Sequence, residues 1–530
     1  MVSSFSASRR GFAALGGAGA AAMLLGTGVA SASSSYPYPL PGRNPFGLGV
    51  GSGEPTSDGV VLWTRLAPEP LAADGAGGMP AVPVRVEYEV ARDEKFRSIV
   101  KRGSVVATPQ LGHSAHPEIR GLEPGRTYYF RFRAGDEISP VGRTKTAPAP
   151  GANPRELNFA FASCQQWQVG FYTAYEHMAA EDLDFVVHLG DYIYETGFTS
   201  NVRGLTLGAP FDTETFDLPR YRAQYALYKS DASLMKAHAN FPWIQTIDDH
   251  EVENNWADEI SQADTEPDQD PAVFRLRRAA AFQAMYENMP LRSAQLPHGA
   301  DVQLFRKLSF GRLADIAMLD TRQYRDDQPC GDGSGSTCAD RFAADRSLLG
   351  DRQRRWLYDG FGRSKARWQI IGNQVPMVQT DLDPSEVVNV YYDPWDGYVA
   401  ERDNLLAEAR RRKVRNLVVI TGDRHQNYAA DLRLDYADVN SPTVGSEFVG
   451  TSITTGGNGA DLPASAQTLL DANPHIRFVN TQRGYVRVNV TEQRWRSDFR
   501  VVPYVATAGA PISTRASYVV EDRHPGVTPA

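Results

Sequence analysis

The segment 187–195 constrains the fold of this chain most, because it joins an apolar strand pattern to a polar cluster. Its first residues have the character of a buried strand, and Gly190-Asp191 follows at once. In an open α/β sheet, a carboxylate at the carboxyl end of a strand faces the crevice where ligands bind. Tyr194 comes three residues later, so its phenol can fold back toward Asp191. Carboxylate and phenolate both bind as oxygen anions, and the segment therefore predicts a site for a highly charged cation.

The same arrangement recurs along the chain from about residue 155. Apolar runs that predict strands alternate with two predicted helices, at 172–181 and 221–239. Several of these runs are followed directly by acidic, amide, thiol or imidazole side chains, which is typical of a layered α/β domain whose site lies in the loops after its strands. The predicted strands are 157–162, 185–189, 243–247, 310–319, 368–371 and 417–421.

The region before this domain predicts a different class of structure. Residues 46–146 alternate apolar and polar side chains with period two, which favours an all-β domain. Within it, residues 121–132 combine a turn with an aromatic strand and resemble a fibronectin type III pattern. Residues 33–45 are interpreted as a linker and 516–530 as a C-terminal tail.

The first 32 residues predict an export signal rather than part of the fold. Arg9-Arg10 precedes an apolar run that continues to Val29, and Ala30-Ser31-Ala32 fits a small-residue cleavage site. This pattern predicts the twin-arginine translocase as a partner and a secreted or extracytoplasmic location, in the cell wall or periplasm. The run is shorter than the ~20 apolar residues of a membrane span, so no stable membrane span is expected.

Charge and cysteine content narrow the function further. The net charge is −8 and no long basic run occurs, so no nucleic-acid-binding surface is expected. Cys330 and Cys338 flank a Gly/Ser loop and could form a disulfide outside the cell. Cys164, at the end of a predicted strand, is then left over.

Four motifs carry the chemistry of the chain, and in this order they resemble one family. They are Ala-Ser-Cys-Gln at 162–165, His-Leu-Gly-Asp-Tyr-Ile-Tyr-Glu at 188–195, Asp-Asp-His-Glu-Val-Glu-Asn-Asn at 248–255 and Leu-Asp-Thr-Arg-Gln-Tyr-Arg at 319–325. The set resembles the calcineurin-like metallophosphoesterases and, within them, the PhoD-type alkaline phosphatases. The resemblance implies an α/β fold: a layered calcineurin-like metallophosphoesterase β-sandwich with flanking helices at 155–515, preceded by the all-β fibronectin type III-like domain.

The resemblance also implies two metal ions that share one aspartate. The first metal would be held by Cys164, Asp191, Tyr194 and His425. The second would be held by Asp191, Asp249 and Asp423, with Asn255 or Gln374 completing its shell directly or through water.

The types of ligand predict a mixed pair of metals. Thiolate, phenolate and imidazole suit a transition metal, and phenolate favours ferric iron, which the family also implies. An all-oxygen second site suits a hard cation, and the family implies calcium. Zinc stays an alternative for the first site, because cysteine, histidine and aspartate all bind it.

The function implied is a metal-dependent alkaline phosphatase or phosphodiesterase that releases phosphate from phosphomonoesters or phosphodiesters outside the cytoplasm. A hydroxide between the metals would attack phosphorus. His250 would protonate the leaving group or orient the phosphate, and Arg424 would clamp the phosphate.

Two other functions stay open from the sequence. Cys164 could instead be a nucleophile with His425 as its base, or the N-terminal region could serve adhesion beside a decayed enzyme domain. Residues 319–325 could form a structural ion pair or act in the site, and residues 393–398 could line the site or pack. His188 is a candidate hydrogen-bonding partner of a metal ligand.

Overall fold

The computed structural model describes residues 44–385 and 387–530, so the predicted export signal and most of the predicted linker lie outside the described residues. Twenty-five strands occur in the described part of the chain. In chain order they are β1 (Val50–Thr56), β2 (Gly59–Arg65), β3 (Val84–Ala91), β4 (Ile99–Ala107), β5 (Ser114–Ala115), β6 (Glu118–Arg120), β7 (Thr127–Ala134), β8 (Glu137–Ile138), β9 (Gly142–Lys145), β10 (Glu156–Ala162), β11 (Phe185–His188), β12 (Pro242–Gln245), β13 (Arg306–Phe310), β14 (Ala314–Met318), β15 (Ser334–Gly335), β16 (Trp368–Gly372), β17 (Val390–Tyr391), β18 (Leu417–Thr421), β19 (Asn427–Arg433), β20 (Thr443–Val449), β21 (Ile476–Asn480), β22 (Arg483–Thr491), β23 (Arg494–Val502), β24 (Ser513–Glu521) and β25 (His524–Pro529).

Helices fill the connections between many of these strands. The α-helices are α1 (Thr173–Met178), α2 (Leu218–Lys229), α3 (Ala232–Asn240), α4 (Pro271–Asn288), α5 (Gly350–Arg363), α6 (Val399–Arg411) and α7 (Ala464–Ala472). Short 3-10 turns lie at Pro109–Leu111, Trp167–Val169, Pro267–Gln269, Ser293–Gln295, Asp340–Phe342 and Trp395–Gly397. Among the described residues, no helix has the length and apolar character needed to cross a membrane.

Two large mixed sheets form the centre of the fold. The first has eleven strands in the order β25-β24-β23-β22-β10-β11-β12-β1-β2-β5, with β6 also paired to β2. The second has seven strands in the order β13-β14-β16-β18-β20-β19-β21. Strands β10, β11 and β12 run parallel in the first sheet, and β14, β16, β18 and β20 run parallel in the second. Helices connect most of the parallel strands, which confirms the α/β class.

Alternation along the strands separates two apolar layers. In β10, Phe159 and Phe161 pack into the core between the two sheets, whereas Ala160 and Ala162 pack on the other face against helices α1 to α4. Because successive side chains of a strand point to opposite faces, small residues on one face let helices approach closely. Helices α5, α6 and α7 pack in the same way on the outer face of the second sheet. The order of layers is therefore helices, sheet, sheet, helices.

The N-terminal region contributes to two sheets. Strands β3, β4, β7, β8 and β9 form a separate five-stranded sheet, and its core includes Val60 and Leu62 of β2. Strand β1, however, pairs in parallel with β12, with Ser52 opposite Pro242, and so extends the eleven-stranded sheet. The region thus packs on its own core while it is continuous with the sheet that carries the site.

Three segments differ from the sequence interpretation for local physical reasons. The predicted strand 310–319 is a hairpin of β13 and β14, because Gly311 turns the chain with φ +64°. The predicted helix 221–239 is two helices, because the Asp231 side chain accepts hydrogen bonds from Ser233 N and Leu234 N and caps a new helix. Residues 516–530, interpreted as a tail, lie in β24 and β25 and pair antiparallel at the edge of the large sheet. Pro525 and Gly526 interrupt the alternation of apolar and polar side chains in this segment, so the sequence does not indicate the strand.

The expected bond between Cys330 and Cys338 is confirmed. The bond links two cysteines that lie eight positions apart in the sequence, and the short strand β15 lies in the loop between them.

Candidate metal centre and active site

The carboxyl ends of the parallel strands of both sheets meet in one place. Ser163, after β10, bridges in parallel to Ser452, after β20, and so joins a loop of the first sheet to a loop of the second. Cys164 N donates to Gly190 O at 3.2 Å, which ties the loop after β10 to the loop after β11. Loops that leave neighbouring strand ends in this way bring distant parts of the sequence to one crevice.

The four residues expected at the first metal lie together. One ligand atom each of Cys164, Asp191 and His425 lies within 4.8 Å of the others. The Tyr194 hydroxyl lies 3.1 Å from Asp191 Oδ2 and 3.3 Å from His425 Nε2. A thiol, a carboxylate, a phenol and an imidazole therefore lie close together. They come from the ends of three strands: Cys164 follows β10, Asp191 and Tyr194 follow β11, and His425 follows β18.

A second group adjoins the first through Asp191. Ligand atoms of Asp191, Asp249 and His250 also lie within 4.8 Å of one another. Asn255 N donates to Asp249 Oδ2 at 2.9 Å and fixes the orientation of that carboxylate. Asp423 lies outside these two groups, but its charge contributes to raising the pKa of Cys164.

The three other residues expected near the site have different surroundings. The Gln374 amide is held by the protein: its nitrogen donates to Thr246 Oγ1 at 2.8 Å, and its oxygen accepts from Thr321 Oγ1 at 2.8 Å. The Asn255 side-chain nitrogen donates to Asp332 Oδ2 at 2.7 Å, so the disulfide loop reaches the site. The Arg424 guanidinium stacks over the Tyr391 ring, 4.4 Å from its centroid.

The backbone at most of the expected ligands is left-handed. Side chains other than glycine seldom adopt this region, and holding one there costs about 1–3 kcal/mol. Such strain concentrates at functional sites, where the surrounding fold over-determines the backbone. The residues are Cys164 (φ +58°), Asp191 (φ +55°), Asn255 (φ +53°), Asp423 (φ +62°) and His425 (φ +54°).

Burial of several anions in one place opposes their ionisation. Burial first, and then the Asp249 charge, raises the pKa of Asp191 well above its ordinary value. Burial and the Asp191 charge likewise raise the pKa of the Cys164 thiol. Burial and Asp393 raise the pKa of Asp423 to about 7. A cation placed among these groups would favour their charged forms.

The two histidines of the site have opposite electrostatics. Burial lowers the pKa of His250, but Glu195, Asp249 and Asp191 raise it by more, so that it lies well above its ordinary value. Burial and the Arg483 charge lower the pKa of His425 to about 3. His250 is therefore suited to carry a proton, and His425 is a neutral imidazole suited to bind a metal.

Sequence reasoning missed several residues that hold these ligands in place. Glu195 Oε2 lies 2.7 Å from His250 Nδ1. The Glu251 carboxylate accepts from the backbone of Asp191 and Asp248. Thr455 Oγ1 lies 2.8 Å from the Tyr194 hydroxyl. Glu195 directly follows Tyr194, so its position in the motif 188–195 could have indicated it. Thr455 lies six residues after β20, and no local signal marks it.

Arg322, in the motif 319–325, ties the loops of the two sheets together. It follows β14, and its Nε donates at 2.7 Å to Asp248 Oδ1, which follows β12. Its two terminal nitrogens donate to the Asp393 oxygens at 2.8 and 3.0 Å. The Arg322 side chain is completely buried. This motif thus forms a buried ion pair behind the ligand loops, and Asp393 is part of it.

His188 does not support the site. Both of its ring nitrogens are buried without a hydrogen-bond partner among the described residues, and its ring stacks on Trp243.

The donor set fits a bound metal pair. Asp191 Oδ1, between the two groups, is buried and accepts no hydrogen bond from any described residue. A buried carboxylate oxygen without a partner is costly, and a metal ion would satisfy it. The neighbouring thiol, phenol, imidazole and carboxylates are the usual metal ligands of proteins.

Comparisons with known proteins agree with this fold. A family model described as "PhoD-like phosphatase" matches residues 159–499, and one described as "PhoD-like phosphatase, N-terminal domain" matches residues 30–148. Alkaline phosphatase D of Bacillus subtilis (strain 168) is 50% identical over 489 residues, which cover 91% of this chain and 82% of that protein.

Solved structures give the same result. A structure described as "Structure of PhoD" superposes with a TM-score of 0.88 at 48% identity and covers 93% of both chains. A purple acid phosphatase, PPD1, from yellow lupin seeds matches with a TM-score of 0.53 at 11% identity, covering 89% of this chain and 74% of that one, and so shares the fold.

The fold, the site and these likenesses define a phosphoester hydrolase. The chain belongs to the PhoD-like phosphatase family.

Replacing Arg322 with methionine is expected to destabilise the protein strongly. Asp248 would stay buried without its cation, whereas Asp393 would keep its ion pair with Arg325 at 3.0 Å. Breaking a buried ion pair from one side costs about 3–5 kcal/mol. The free energy of unfolding, measured by urea denaturation, should fall by that amount. The matched control is Arg312→Met, at an exposed arginine, which should change it by less than about 0.5 kcal/mol. A loss below about 1 kcal/mol in Arg322→Met would contradict this role.

Proposed function

We propose that this chain is an exported, metal-dependent alkaline phosphatase or phosphodiesterase that releases phosphate from phosphomonoesters or phosphodiesters outside the cytoplasm. The observation that carries the proposal is the convergence of Cys164, Asp191, Tyr194 and His425 at one point. Export through the twin-arginine translocase rests on the sequence of residues 1–32. The order of layers supports the finer description, a calcineurin-like sandwich at 155–515 after a fibronectin type III-like region at 46–146.

The metal assignment follows from the chemistry of the ligands. We propose ferric iron at Cys164, Asp191, Tyr194 and His425, with zinc as the alternative, because a phenol ligand favours ferric iron. Calcium is proposed at the oxygen ligands Asp191, Asp249 and Asp423, completed by Asn255. A metal pair bound there would act as a Lewis acid and lower the pKa of a water from near 16 to roughly 7.

The side chains of the protein supply the remaining steps. Hydrolysis joins a water oxygen to phosphorus and breaks the ester P–O bond, and the leaving oxygen then needs a proton. His250 is positioned to give it, because Glu195 engages Nδ1 at 2.7 Å and leaves Nε2 as the nitrogen that carries the transferable proton. The Arg424 guanidinium, stacked on Tyr391, would hold the phosphoryl oxygens.

Chelation tests the proposed function against thiol chemistry. Dialysis of the purified mature protein against a strong chelator should abolish hydrolysis of p-nitrophenyl phosphate and of a bis-ester, and adding back iron and calcium should restore it. Iodoacetamide should leave the metal-loaded enzyme active, because Cys164 is buried and would be engaged by metal. Activity that survives chelation but is lost on alkylation would establish Cys164 as a nucleophile. A protein inert toward both esters after metal loading would favour a binding function.

Replacing Tyr194 with phenylalanine tests the first metal. The phenolate-to-iron charge-transfer band should disappear from the visible spectrum, and activity should fall on the order of 10²–10³-fold as a preorganised charged group is lost. The matched control is Tyr192→Phe, two residues away, whose hydroxyl contacts His238 rather than a proposed ligand. An active protein without iron and without colour would overturn the iron assignment and favour zinc.

Replacing His250 with glutamine tests its role as a general acid. The kcat should fall by about 10²–10⁴-fold for an alkyl phosphate, whose leaving group needs a proton. It should fall much less for p-nitrophenyl phosphate, whose leaving group is stable as an anion. The control is His177→Gln, on α1. Among the described residues, the His177 ring forms one hydrogen bond, between Nε2 and Ala510 O at 2.8 Å, and it does not contact the proposed site. An equal loss for both substrates would mean that His250 orients the phosphate instead.

A further inference from the structure

A third group of acidic side chains lies apart from the proposed metal pair. One carboxylate oxygen each of Glu253, Asp264 and Asp268 lies within 4.8 Å of the others. Glu253 belongs to the loop after β12, whereas Asp264 and Asp268 precede α4. Glu253 and Asp268 are buried, with 1% and 0% of their surface exposed, and Asp264 is exposed.

The charge of this group is not balanced by the protein. Arg277 of α4 lies 2.8 Å from Asp268, 3.4 Å from Glu253 and 2.6 Å from Glu214. It is the one cationic side chain that forms an ion pair with any of these acids within the described part of the chain. A single guanidinium thus faces four carboxylates when Asp264 is included. Burying like charges without compensation is strongly unfavourable.

Unsatisfied oxygens point independently to a ligand. Both carboxylate oxygens of Glu253 and Oδ1 of Asp268 are buried and accept no hydrogen bond from the described residues. Buried polar atoms in proteins nearly always have a partner, and a bound ion is one of the few explanations for a buried oxygen without one. The Asp264 carboxylate is held beside them, because its Oδ1 accepts from Glu266 N at 2.8 Å and from Gln269 Nε2 at 3.1 Å.

We propose that Glu253, Asp264 and Asp268 bind a calcium ion with a structural role, distinct from the metal pair of the active site. The group offers oxygen ligands alone, which selects a hard cation over a transition metal. Calcium accepts irregular sets of six to eight oxygens, and the exposed side of the group gives water access to complete the shell.

The position of this ion gives it a consequence for the site. Glu253 N donates to Asp249 O at 2.8 Å, and Asn254 N donates to Glu195 Oε1 at 3.0 Å. An ion bound to Glu253 would therefore join the loop that carries Asp249 and His250 to the start of α4. It would stabilise the loop without contacting substrate.

Counting calcium in matched variants tests the proposal. The purified mature protein and the variants Asp264→Asn and Glu266→Gln are stripped of metal, titrated with calcium chloride and analysed for bound calcium by equilibrium dialysis with elemental analysis. Asp264→Asn removes a proposed ligand at an exposed position. Glu266→Gln removes the same charge from the same loop without removing a ligand. Asp264→Asn should bind one calcium fewer per chain, or bind that calcium at least tenfold more weakly, than Glu266→Gln.

A second variant separates loss of an ion from loss of folding. Asp264→Lys places an ammonium group beside Glu253 and Asp268, so it should bind one calcium fewer and yet keep a melting temperature near that of the calcium-loaded protein. The melting temperature of the unaltered protein should rise as calcium fills this site. Equal calcium counts in all variants would overturn the proposal and mean that Glu253 is simply protonated. This difference between variants does not depend on which metals occupy the active site, so the two assignments can fail separately.

Discussion

The buried guanidinium of Arg322 is the interaction on which the arrangement of the site depends. It lies after β14 of the seven-stranded sheet, and it binds Asp248, which lies after β12 of the eleven-stranded sheet. The core between the two sheets consists of apolar side chains, which are not directional and do not fix the relative position of loops. A planar group with fixed hydrogen-bond directions does fix it. Hydrogen bonds between the loops, such as that from Gln374 to Thr246, add to the tie that Arg322 makes. Arg322 therefore sets where the loop carrying Asp249 and His250 lies relative to the loops of the second sheet.

The Arg322 guanidinium, even with Arg325 beside Asp393, does not balance the acids of the site. Asp191 and Asp423 both have raised pKa values, from burial first and then from neighbouring carboxylates. The protein alone would hold these groups at a free-energy cost, and cations at the strand ends would remove that cost. The left-handed backbone at the same positions adds to it. Both features make sense if folding and metal binding stabilise each other.

Much of this could be predicted from the sequence, because strand ends leave a local signal. The predicted strand 417–421 is β18, and the polar residues after it lie at the crevice. Local patterns cannot show contacts made across the chain. Arg483 donates to His425 O at 2.7 Å from 58 residues away, and nothing near Arg483 indicates that contact. The two-helix break at Asp231 depends on a capping geometry that periodicity does not capture.

The core between the sheets supplies the stability that holds the strained loops of the site in place. Loops with a strained backbone and many charges keep their conformation only if the free energy that stabilises the framework below them exceeds the free energy of the strain. Here that framework is the core between the two sheets, where Trp495 packs against Phe159, Trp368 and Phe448. Large aromatic side chains bury the most apolar surface per residue, and interlocking rings resist displacement. Cys164 lies two residues after β10, and Phe159 and Phe161 of β10 are part of this core, so one strand contributes to the stability of the core and positions a residue of the site.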